Sequence, residues 1–139
     1  MVSLLTFLAH VLEPSREIVL HLLTQPDFKY LTALAALYIR LTFDSVDVYK
    51  VLEPLLNDQR RLNCRLGTVE SGNVSVICMD QFVEQLLTQM KFADLMLPRI
   101  VSRIALEDQG LLDWRRSEVE SEFEEWFDSD REMSKEDED

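Results

Sequence analysis

The stretch DFKYLTALAALYIRLTFDSVDVYKVLEPLLNDQRRL, residues 27–62, decides the fold. Between Phe28 and Phe43 only Lys29, Thr32, Arg40 and Thr42 are plainly polar. A surface helix is polar over about half its circumference, so a segment apolar nearly all round belongs in the middle of a domain, with other helices packed on it. Ala33, Ala35 and Ala36 let those neighbours approach closely. Arg40 is the exception. A guanidinium near the end of a buried helix needs an acid or backbone carbonyls, unless it reaches water. The segment that follows offers Asp47, Glu53 and Asp58.

That segment opens with Asp44 and Ser45, either of which suits a helix start. Val48, Val51, Leu52, Leu55 and Leu56 recur at three and four, which gives one apolar face. Pro54 lies inside the pattern. It removes a backbone donor and clashes with the preceding turn, so a kink or break is expected between Leu52 and Leu55. Tyr49, Lys50, Glu53, Asn57, Asp58, Arg60 and Arg61 then form a dense polar set beside a bend.

Four motifs, DFKYLTALAALYIRLTF, YKVLEPLLNDQRR, MDQFVEQLL and LPRI, in this order and at these distances, resemble the pre-mRNA-processing factor 38 family. The likeness runs over about residues 4–112, and the first two motifs are long and specific. The resemblance implies an all-α scaffold without enzyme activity or cofactor. It would be a nuclear, spliceosomal protein associated with the tri-snRNP, needed when the assembled spliceosome matures to its activated form. It also implies partners among other splicing proteins, bound through elongated, largely helical segments, and an indirect association with small nuclear RNAs. Family members carry a further stretch ahead of the match and often an arginine-serine tail after it; the sequence read here shows neither.

The charge distribution narrows the rest. Residues 117–139 hold 12 acids and 2 bases, whereas residues 1–116 hold 14 acids and 12 bases. We therefore expect a nearly neutral helical domain over 1–116 and an acidic helix and tail over 117–139. Nucleic-acid binding leans on excess Lys and Arg, so this balance favours protein partners and argues against direct DNA contact. Direct RNA contact would need a patch from Arg60, Arg61 and Arg65. The apolar run at 2–12 is too short to span a bilayer and lacks a signal-peptide pattern, so no membrane role is expected.

In chain order, 2–12 reads as a short amphipathic helix containing His10. Pro14 suits the first position of a second helix, with Ile18, Val19, Leu22 and Leu23 facing inward and His21 outward. After the bend, 65–69 and 74–78 are β-prone and separated by Glu70-Ser71-Gly72-Asn73, which spells a small hairpin turning at Gly72 and leaning on the helices. Gly67 would weaken its first strand or mark a bulge. Cys64 and Cys78 flank this hairpin and are read as free thiols, close enough to approach across the strands. With His10 and His21 they show no ligand-pair spacing, so no metal site is expected. Asp80 starts the next helix, with Phe82, Val83, Leu86, Leu87 and Met90 inward. Pro98 opens a last one that stops at Gly110, placing Arg99 and Arg103 on one face. That pair is either solvated or a contact for an acidic group, the chain's own tail included.

Ser117 and Glu120 form a capping box, and Val119, Phe123, Trp126 and Phe127 fall on one side of an otherwise acidic helix. Trp126 and Phe127 would each gain about 1.5–3 kcal/mol on burial. Either they dock on the parent domain or they enter a groove on another protein.

No nucleophile–base pair or phosphate-cradling glycine loop is present, so catalysis finds no support. The candidate partner-binding residues are Tyr49, Lys50, Glu53, Asn57, Asp58 and Arg60 at the bend, with Phe123, Trp126 and Phe127 in the tail. The alternative is an acidic adaptor, chaperone-like, that shields a basic partner through residues 117–139.

Overall fold

Ser15 adopts an extended backbone and releases the chain into helix α1, Arg16–Leu23. Pro14 stands outside this helix, where the sequence reading had placed it first. Val19 and Leu23 are buried and Leu22 partly so, but Ile18 is exposed, as is His21. In this computed structural model residues 13–65, 74–92 and 95–115 are described. The helices expected at 2–12 and in the tail, with His10, Phe123, Trp126 and Phe127, lie outside them.

Helix α2, Lys29–Thr42, is the axis of the domain. Every residue from Thr32 to Arg40 is buried. Helix α1 packs along it, and α3 (Ser45–Leu52) and α4 (Met79–Thr88) also lie against it. The alanines do what their size allows: Ala33, Ala35 and Ala36 are at most 3% exposed, so helices close in from opposite sides. A single core joins Val19, Leu34, Leu37, Ile39, Val48, Leu52, Leu62, Met79, Phe82, Val83 and Leu86. Phe92 meets Phe82 edge to face at 5.1 Å between ring centroids.

The break at Pro54 is a change of helix type. Helix α3 gives way at Leu52 to a 3₁₀ turn, Glu53–Asn57, with Pro54 in its first positions. There the missing amide costs little.

The hairpin differs from the sequence reading in its first strand, which is β1, Arg61–Arg65, paired antiparallel with β2, Val74–Cys78. Leu62 faces Ile77 and Cys64 faces Ser75. This register has a physical reason. It sends Leu62 into the core at 2% exposure while Val74 and Val76 face out, and a slip of one residue would reverse every side chain. It also corrects the expected approach of the cysteines. Cys78 pairs with Arg61, three rungs from Cys64, and alternation puts the two thiols on opposite faces. Both are free.

Met79, not Asp80, begins α4; Cys78 precedes it and its N–H donates to Gln81 Oε1 at 3.3 Å. After Thr88 the chain forms a two-residue pairing, β3 (Lys91–Phe92) with β4 (Leu95–Met96), and then runs extended. The last helix, α5, is therefore shorter than expected. It spans Arg103–Asp108, begins after Ser102 and leaves Pro98 and Arg99 outside. Its end is as read: Gly110 adopts φ 68°, and the Leu111 and Gly110 amides donate to Leu106 and Glu107 carbonyls. That is the left-handed cap for which glycine is suited. The described domain is thus mostly helical with small β-hairpins.

Candidate protein-binding surface

The polar set at the bend divides into two stripes. Ser45, Tyr49 and Glu53 fall four apart on one side of α3 and its 3₁₀ continuation, and all three hold the C-terminal segment. Ser45 Oγ accepts from the Val101 amide at 3.2 Å, and Tyr49 Oη donates to the Val101 carbonyl at 3.2 Å. Glu53 takes Arg103 in a two-pronged contact, Arg103 Nη2 donating to Oε2 at 3.2 Å and Nε to Oε1. Arg103 also pairs with Glu107 and donates to the Asp113 carbonyl. Tyr49 is buried together with Leu106 and Leu112. Burial pushes its phenol above the ordinary value, Arg40 opposing. The Glu53 hydrogen bond holds Arg103 above its ordinary value. So Arg103 does meet an acid, but on α3's continuation, and Arg99 is an exposed residue of the extended segment.

The other stripe faces solvent: Lys50, Pro54 and Asn57 are exposed.

Beyond the 3₁₀ turn, Asp58 and Arg60 form a staple. Arg60 Nε and Nη2 reach the Asp58 carboxylate at 2.6–3.0 Å, and the Arg60 amide donates to it as well. Nη1 of the same guanidinium spans to the Gln25 and Pro26 carbonyls at 3.0 and 2.9 Å. The backbone of this short segment also receives α4, Met79 N–H bonding Arg60 O and Asp80 N–H bonding Asp58 O. One arginine thereby joins the α1–α2 loop, the bend and the hairpin. Burial alone would raise the Asp58 carboxyl, but the hydrogen bonds from Arg60 outweigh it and hold it below the ordinary carboxylate range.

Beside this staple lies a feature that the sequence reading missed. A cleft of about 470 Å³ runs along the start of α2, walled by Pro26, Phe28, Tyr30, Leu31 and Arg60. Phe28 and Tyr30 are 62% and 45% exposed. Lys29 lies over the Tyr30 ring, and Tyr30 Oη accepts the Asn63 amide at 3.2 Å. The signal was Pro26-Asp27: a helix entered from a proline turn has a first turn that the neighbouring helices do not cover.

Of the residues expected to touch a partner, Lys50 and Asn57 therefore stand on the surface. Asp58 and Arg60 are half-buried within the domain, and Tyr49 and Glu53 are spent on the C-terminal segment. Among the described residues no group of three or more His, Cys, Asp or Glu is placed to hold a metal ion, and no helix is long and apolar enough to cross a membrane.

Known proteins place this architecture. The sequence is 41% identical over 114 residues to Pre-mRNA-splicing factor 38 of Arabidopsis thaliana, covering 82% of this chain and 31% of the plant protein. It is 43% identical over 100 residues to Pre-mRNA-splicing factor 38 of Schizosaccharomyces pombe, covering 72% of this chain and 46% of the yeast protein. The match thus spans only 31% and 46% of the length of these two relatives. Its fold superposes with TM-score 0.72 on a chain of the crystal structure of the Snu23-Prp38-MFAP1(217-258) complex of Chaetomium thermophilum. The sequence identity there is 37%, and the match covers 88% of this chain and 62% of the other. The profile of the PRP38 family matches residues 2–110, and with that extent of agreement the chain belongs to the PRP38 family.

Proposed function

We propose that this domain is a non-catalytic, protein-binding scaffold of the spliceosome. In this reading it works in the nucleus as part of the tri-snRNP and serves maturation of the spliceosome to its activated state. Its partners are other splicing proteins, and its association with small nuclear RNAs is indirect. The observation that carries the reading is the likeness to a chain solved in a complex with Snu23 and a segment of MFAP1, in a fold whose polar side chains are largely engaged in holding the domain together. The contact surface we assign is the outward stripe Lys50, Pro54 and Asn57, continued by the rim of the Asp58–Arg60 staple.

Lys50 is exposed, so Lys50→Glu should leave the melting temperature near that of the wild type and weaken capture of splicing proteins. Affinity purification from nuclear extract, with identification of the associated proteins and small nuclear RNAs, reads this directly. Undiminished capture by the variant would remove Lys50 from the surface, and capture of no splicing component by the wild type would overturn the scaffold role.

A second reading rests on the charge of residues 117–139, with 12 acids against 2 bases. If the protein is an acidic adaptor, removing that segment abolishes all partner capture. If it is a scaffold, capture persists.

A further inference from the structure

The cleft at the start of α2 shares only Arg60 with the contact surface proposed for the scaffold. Pro26, Phe28, Tyr30, Leu31 and Arg60 wall about 470 Å³ of it, and Phe28 and Tyr30 keep 62% and 45% of their surface open. With walls this apolar, the few polar atoms still free decide what can bind.

Most polar atoms at the walls are already engaged. A guanidinium has five N–H donors, and Arg60 uses all of them. Nε and Nη2 reach Asp58, Nη1 reaches the Gln25 and Pro26 carbonyls, and Nη2 also reaches Thr32 Oγ1 at 3.4 Å. Arg60 thus lends the cleft a flat face and no hydrogen bond, and its charge is matched by Asp58. The Phe28 carbonyl is taken as well, by the Leu31 and Thr32 amides. What remains is a donor. Tyr30 Oη accepts the Asn63 amide at 3.2 Å, and among the described residues no acceptor meets its own hydrogen. Lys29, over the Tyr30 ring at 5.3 Å from its centroid, is a second donor. Asp27 balances its charge from an exposed position among the lining residues. A cleft without excess positive charge does not select a phosphate backbone.

We propose that this cleft takes a proline-rich segment of a partner protein in the polyproline II conformation. Such a segment has no internal hydrogen bonds, so its carbonyls are free acceptors, and its prolines bring rings without N–H groups. It matches walls that are aromatic and a polar residue that donates, the combination by which aromatic-lined grooves hold polyproline. Tyr30 is held in place for this by Asn63. A β-strand would instead bring N–H groups to walls whose acceptors are taken, at the cost of leaving them unpaired. A helix bonds its own carbonyls and would not use the Tyr30 hydrogen.

The test titrates the full 139-residue chain into fluorescein-labelled decaproline, followed by polarisation, with a glycine-serine decapeptide as comparator. Decaproline should bind saturably and the comparator should not, and amide shifts in a ¹⁵N–¹H spectrum should gather at residues 27–31 and Asn63. Phe28→Ala removes a wall that is already 62% exposed. It should weaken binding about tenfold or more at an unchanged melting temperature. Tyr30→Phe keeps the ring and removes the donor, which should cost about fivefold. Absence of decaproline binding overturns the proposal, as does binding by Phe28→Ala equal to the wild type, or amide shifts centred elsewhere. Tighter binding of a uridine decanucleotide than of decaproline also overturns it, making nucleic acid the occupant. None of these outcomes touches the scaffold reading, which is decided by capture of splicing proteins.

Discussion

Arg40 Nε donates to the Leu86 carbonyl at 2.7 Å, inside the core and 46 residues away in sequence. Arg40 as a residue is 3% exposed, and its Nη1 has no hydrogen-bond partner. Burial pushes it below the ordinary arginine value, Tyr49 opposing. Removing a charge from water costs several kcal/mol, and one carbonyl repays only part. We therefore expect Arg40→Met, which keeps the stem volume, to unfold in urea within about 1 kcal/mol of the wild type, the relieved desolvation offsetting the lost bond. Arg40→Asp aims a carboxylate at a carbonyl, and should lose about 3 kcal/mol or more.

Asp58 supplies a pH dependence. Its carboxyl is held below its unfolded value, so the stabilisation is fully present above that value and is lost as pH falls through the folded one. Urea unfolding of the wild type and of Asp58→Asn should differ by about 1–2 kcal/mol at pH 6. The difference should begin to shrink as pH falls into the ordinary carboxylate range, where the unfolded chain takes up its proton, and go on shrinking until the native carboxylate protonates at lower pH. A margin constant from pH 6 to 3 would mean that the pair does not titrate with folding.

The apolar run of α2, the break at Pro54 and the stop at Gly110 were legible because each follows from local geometry: side-chain periodicity, a missing amide, a positive φ. Partner choice was not. Asp47, Glu53 and Asp58 were all open to Arg40, and each is taken by another arginine. Asp47 pairs with Arg16, Glu53 with Arg103 and Asp58 with Arg60. Two of those partners lie 31 and 50 residues away. A pattern within a segment says which face is polar and cannot say which distant side chain arrives there. For the same reason Tyr49 and Glu53 looked like partner contacts, although they hold the 101–103 segment. The cleft at Phe28 and Tyr30 was hidden by the opposite error, a continuous apolar run read as continuously buried.

The hold of α3 on Val101 is testable by local opening. Tyr49→Phe deletes the donor to the Val101 carbonyl, at a cost of about 1 kcal/mol. Ser45→Ala deletes the acceptor of its amide. Both should raise hydrogen exchange in the 101–108 segment and leave α2 amides as protected as before, since the two sets belong to units that open separately. Equal loss of protection in α2 would show that the segment and the central helix open together.

The hairpin register gives the most direct test of the fold. Cys64 stands opposite Ser75, whose Oγ donates to the Cys64 carbonyl at 3.4 Å. Directly opposed residues in an antiparallel pair are about 4.5–5.5 Å apart at Cα, within the range a disulfide spans. In Ser75→Cys, mild oxidation should therefore join Cys64 to the new cysteine, identifiable by peptide mapping. In the wild type, Cys64 and Cys78 should remain two thiols, because they occupy opposite faces of the ladder. Burial pushes the Cys64 thiol above its ordinary value, so it should also react slowly with a thiol reagent until the domain unfolds. Had the first strand begun at Arg65, Cys64 would lie beyond the ladder and the engineered bridge would not close, so its formation separates the two registers.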